Sequence, residues 1–91
     1  MKYYVVEPCK SSGGFEIKLK EKLDLAKARK SFSKLGEVVA ESPVVLLVKI
    51  KDYTISVYGS GRMMVKSEKK IRQGQIEELA KTIVSELEAQ S

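Results

Sequence analysis

Tyr53-Thr54-Ile55-Ser56-Val57-Tyr58-Gly59-Ser60-Gly61-Arg62-Met63-Met64-Val65-Lys66 is the stretch that decides the fold. Two runs with β-branched and aromatic residues at alternate positions flank a glycine-rich turn, which is the pattern of a β-hairpin. Gly59 and Gly61 are expected to supply the positive φ of a tight turn. Strand alternation sends Ile55, Val57, Met63 and Val65 toward a core. Thr54, Ser56, Tyr58, Arg62, Met64 and Lys66 point the other way.

Upstream, Val44–Ile50 is the most apolar run and reads as a strand near the middle of a sheet. Val38–Ala40 reads as a short strand, joined to it by Glu41-Ser42-Pro43, and Lys51-Asp52 turns the chain into the hairpin. Phe15, Ile17 and Leu19 alternate with Glu16, Lys18 and Lys20, the period of a half-buried strand. Asp24 is placed to cap a helix whose buried face is Leu25, Ala28, Phe32 and Leu35, with Lys27, Lys30 and Lys34 opposite. Gly36 is expected to end that helix in the usual C′ manner. A second helix carries Ile76, Leu79, Ala80, Ile83 and Leu87 at three-and-four spacing. Ser67 is one candidate cap for it. Gly74 costs about 1 kcal/mol inside a helix, which favours a start at Gln73 or Gln75 instead.

The order is strand, helix, four strands, helix. It predicts an α+β domain over residues 1–91: a curved antiparallel sheet of about five strands with both helices on its convex face. Tyr3–Glu7, closed by Pro8, adds an extra N-terminal strand if it folds back on Phe15–Leu19 through the turn at Lys10–Gly14.

Composition narrows the chemistry. Ninety-one residues, 43% hydrophobic and 32% charged, suit one globular domain. No apolar run approaches the roughly 18 residues of a membrane helix, so an intracellular, cytoplasmic protein is expected, with no membrane partner. The chain has no histidine and a single cysteine, Cys9. A zinc site and Ser/His or Cys/His nucleophilic chemistry are therefore not expected, and neither is an internal disulfide. Cys9 beside Lys10 reads as an ordinary thiol. The net charge is +5, and all of the excess lies early: nine bases against four acids up to residue 34, then eight against eight. A basic front half suggests an anionic partner, and a solvated lysine-rich surface is the equal alternative.

Lys22-Leu23-Asp24-Leu25, Val45-Leu46-Leu47-Val48-Lys49-Ile50 and Ile55-Ser56-Val57-Tyr58-Gly59-Ser60-Gly61-Arg62-Met63 occur in this order. Together they resemble the strand-to-helix junction, central strand and hairpin of one repeat of the TATA-box-binding-protein family. The resemblance covers roughly residues 14–88. It implies a half saddle whose open concave face meets the minor groove, where aromatic wedges kink the duplex. On that reading Tyr58 matches a wedge, Lys49 and Arg62 match phosphate contacts, and Val45, Leu47, Met64 and Lys66 line the concave face. The chain departs from the family at Pro43, where a second wedge would stand, at Gly14, which replaces a branched apolar contact, and at Glu16, a carboxylate facing the polyanion. It also has one repeat where the family has two, so a second copy would be needed to complete a saddle.

Three functions follow. A nucleic-acid module would place Lys18, Lys49, Arg62 and Lys66 around Tyr58, with Met64 beside them, to hold DNA or RNA. An interaction or homodimerisation module would cover Val45, Leu47, Tyr58 and Met64 with another protein or a second copy. An enzyme is the least supported. The acids Glu7, Glu16, Asp24 and Asp52 are scattered, and Gly59-Ser60-Gly61 leads into a strand and not into a phosphate-binding helix. No cofactor, metal or small-molecule substrate is indicated.

Overall fold

A computed structural model of the chain describes residues 4–8 and 14–89. Its elements are β1 (Tyr4–Pro8), β2 (Phe15–Leu19), α1 (Leu25–Leu35), β3 (Glu37–Glu41), β4 (Val45–Ile50), β5 (Tyr53–Tyr58), β6 (Arg62–Ser67) and α2 (Gln73–Ala89). The six strands form one antiparallel, curved sheet in the order β1-β2-β6-β5-β4-β3. The additional N-terminal strand is thus present, from Tyr4; Tyr3, Cys9 and residues 10–13 lie outside the described residues.

The core lies on one face of the sheet. Ile17, Leu46, Val48, Ile55, Val57, Met63 and Val65 are almost fully buried there, in one cluster with Ala28 and Phe32 of α1 and Ile76, Leu79, Ala80, Ile83, Val84 and Leu87 of α2. Their spacing is period two in the strands and three-to-four in the helices, so only one face of each element is satisfied by burial. Leu25 and Leu35 are only half-buried at the margin, whereas Ser31 is buried and its hydroxyl donates to the Glu86 carbonyl of α2 at 3.4 Å.

Asp24 caps α1: its Oδ1 accepts from the backbone N–H of Ala26 at 3.0 Å and of Lys27 at 3.4 Å. The helix does not end on a left-handed glycine. Gly36 has a φ of −169°, and its need is for space, since a Cβ there would stand 2.3 Å from the Lys49 carbonyl oxygen. In the β5–β6 hairpin only Gly61 uses positive φ, at +97°. The turn closes through Gly61 N–H to the Tyr58 carbonyl at 3.0 Å, and the carbonyls of Gly59 and Gly61 accept from Leu23 and Leu19. The hairpin thereby fixes the chain entering α1.

β4 lies second from the edge, not in the middle; β6 and β5 are central because β2 joins β6. The apolarity of Val44–Ile50 reflects one buried face plus the half-buried Val45 and Leu47 opposite. α2 starts at Gln73 without Ser67, whose hydroxyl instead accepts from Lys69 N–H at 3.2 Å. Gln75 Oε1 accepts from Arg72 N–H at 2.9 Å, half of a capping box.

Candidate functional site: the open sheet face

The face away from the helices is built from three rows of side chains. In the first, Val5 pairs with Lys18 and Lys18 with Arg62; Tyr58, at the end of β5, pairs with Val45. The middle row runs Glu7, Glu16, Met64, Ser56, Leu47 and Ala40. The third runs Lys66, Thr54, Lys49 and Glu37.

Glu16 dominates one side. Its side chain is only 11% exposed, and it accepts from Arg62 Nη2 at 2.9 Å while Lys18 Nζ stands 3.5 Å away. Lys18 also meets Glu7 at 3.5 Å. Burial pushes the Glu16 carboxyl up. The Arg62 hydrogen bond and charge, with Lys18, more than offset this and hold it below the ordinary value of 4.5. Two acids and two bases make this cluster formally neutral.

The expected ring of four cations around Tyr58 is therefore not what the fold makes. Lys18 and Arg62 lie toward the hairpin end, engaged with carboxylates. Lys49 and Lys66 lie on the row of Thr54, four residues along β5 from Tyr58 and so about 13 Å away. Strand alternation puts all four on one face but does not fix their position along it. Val45, Leu47, Tyr58 and Met64 do come together, each half-buried, on the adjacent strands β4, β5 and β6.

The early basic excess is also redistributed. Arg29 pairs with Glu41 at 3.1 Å and Lys34 with Glu86 at 3.8 Å, both away from the open face. Pro43 stands exposed in the turn before β4, where Ser42 Oγ accepts from Val44 and Val45 N–H. Gly14 is buried against β6, and a Cβ there would lie 2.3 Å from the Val65 carbonyl oxygen, so a branched side chain does not fit. No cluster of three metal-ligating residues occurs among the described residues.

β1 also closes the outer edge of β2, in register from Tyr4 opposite Leu19 to Pro8 opposite Phe15. The remaining free edges are those of β1 and β3. β3 carries an irregularity between Val38 and Ala40 and glutamates at both ends, features that discourage strand pairing. No helix is long and apolar enough to cross a membrane among the described residues. Neither a family model, nor a curated protein, nor a solved structure matches this chain.

Proposed function

We propose that the chain is a non-enzymatic interaction module that binds another protein, or a second copy of itself, through the open sheet face. The observation that carries this reading is the Arg62–Glu16 pair. It offsets the charge of one of the cations that a phosphate contact would use, while Val45, Leu47, Tyr58 and Met64 remain side by side and half-exposed. A polar rim around an apolar centre is the anatomy of a protein interface. The strand-helix-four-strand-helix succession of β2 to α2 supports kinship with the TATA-box-binding-protein fold. The β1 strand, lying on the edge where two halves would join, argues against a saddle made that way. One cysteine in the chain agrees with a cytoplasmic setting.

Light scattering over a wide concentration range, for the wild type and Leu47→Lys, tests the proposal. A wild-type dimer that Leu47→Lys converts to a folded monomer is expected if the partner is a second copy. Equal masses for the two proteins at every concentration exclude that form.

A nucleic-acid reading keeps one specific support: Lys49 and Lys66 flank Thr54 in one row, and neither forms an ion pair among the described residues. Adding a mixed DNA and RNA pool to the same experiment addresses it. Binding that falls steeply between low and physiological salt would favour this reading over apolar association.

A further inference from the structure

A groove of about 940 Å³ runs along the helix side of the molecule, at the end of the sheet where β4 turns into β5. α1 contributes Lys34 and Leu35, β4 and its turn contribute Ile50 to Asp52, and the segment before α2 contributes Lys69 to Arg72. The far wall is α2 from Gly74 to Thr82, about 12 Å of helix. That length accommodates three to four residues of extended chain. Its floor is apolar, formed by Leu35, Ile50, Tyr53, Ile71 and Leu79.

The rim is basic. Lys34 is balanced by Glu86 and Lys69 by Asp52 at 3.7 Å. Lys51, Lys70 and Arg72 form no ion pair among the described residues, and the groove's two acids are Glu78 and the Asp52 already paired with Lys69. α2 has no acid in its first turn to answer them.

Two residues at the rim are not ones that the fold requires. Gly74 sits in the first turn of α2, yet a Cβ there would meet nothing within 4 Å, so the fold does not require glycine. Lys51 opens the two-residue turn joining Ile50 to Tyr53, and its φ of +53° is what such a hairpin turn uses; glycine or asparagine serves that conformation better, so the fold itself does not call for a lysine there. A close-approaching partner backbone accounts for the glycine, and a needed cation accounts for the lysine.

The geometry points to this groove as a docking site for an acidic segment of a partner protein, with apolar side chains seated on the floor and carboxylates meeting Lys51, Lys70 and Arg72. A polynucleotide fits less well, because Leu35, Ile50, Tyr53, Ile71 and Leu79 offer a floor that leucine or phenylalanine side chains of a peptide fill. The site is separate from the open sheet face and does not depend on the role proposed for that face.

The test is a titration of the full-length, isotope-labelled chain, observed by amide NMR. The probe is a 12-residue peptide alternating aspartate or glutamate with leucine or phenylalanine. Saturable shifts centred on Lys51, Lys70, Arg72 and Gly74 are expected, with none from a peptide carrying lysine in place of the acids. Gly74→Leu, which places a side chain in the groove, should abolish binding. The Lys70→Glu/Arg72→Glu double variant should weaken it about tenfold and remove its salt dependence. No saturable shift, shifts on the open face instead, tighter binding of a 20-nucleotide single strand at the same amides, or binding unchanged in both variants would each overturn the proposal.

Discussion

Arg62 on β6 donates to Glu16 on β2 at 2.9 Å, reaching diagonally across two neighbouring strands. Glu16 is mostly buried beneath it, so this pair sets the electrostatics of the open face. Arg62→Ala should cost about 1–2 kcal/mol at neutral pH, because it strips a charged hydrogen bond from a mostly buried carboxylate. Urea denaturation measures it. A change within experimental error would mean that Lys18 alone suffices.

The pH dependence follows from the same pair. The folded-state value of Glu16 lies below the ordinary 4.5, so its contribution is full above pH 4.5 and is lost as pH falls through the folded value. Glu16→Gln should therefore be less stable than wild type at pH 7, with the gap narrowing toward pH 3. A gap that stays constant over that range would contradict the assignment.

Gly36 and Gly74 should respond oppositely to alanine. At Gly36 a Cβ would stand 2.3 Å from backbone oxygen of β4, which must shift, so Gly36→Ala should destabilise by about 1–3 kcal/mol. At Gly74 a Cβ meets nothing, and Gly74→Ala should stabilise by about 0.5–1 kcal/mol through helix propensity. Thermal melts of the two variants check both signs.

Removal of residues 1–8 should expose the edge of β2, since β1 is its outer neighbour. An unpaired strand edge recruits another, and the truncated chain should dimerise or aggregate in a concentration-dependent way. Light scattering would show it; a truncated chain of monomeric mass at high concentration would count against edge protection as the role of β1.

Lys49→Ala and Arg62→Ala distinguish the two uses of the open face. If phosphate binding is the function, each should weaken nucleic-acid affinity, and Lys49→Ala should reduce the salt slope by about one unit. Glu16→Gln should strengthen binding by releasing Arg62 and Lys18. No response in any of the three variants leaves the apolar interface as the reading to pursue.

Local patterns by themselves determined most of the elements. The period-two runs placed β2, β5 and β6. Asp24 marked the start of α1, and the stripe from Ile76 to Leu87 marked the buried face of α2. Such signals are legible because each element must satisfy its own hydrogen bonds and bury one face, a constraint local to a few residues. The tertiary structure alone decided who stands beside whom. Glu16 and Arg62 meet because β2 pairs with β6 across 46 residues, and Lys18 is carried with them. Lys49 and Lys66 share their face but lie too far along the strands to join them. The basic groove assembles from α1, the β4–β5 turn and the start of α2, segments that lie far apart in the sequence and that no local pattern links. Charge counting along the chain misses both outcomes, because ion pairing depends on distances of a few ångströms that only strand order and register set.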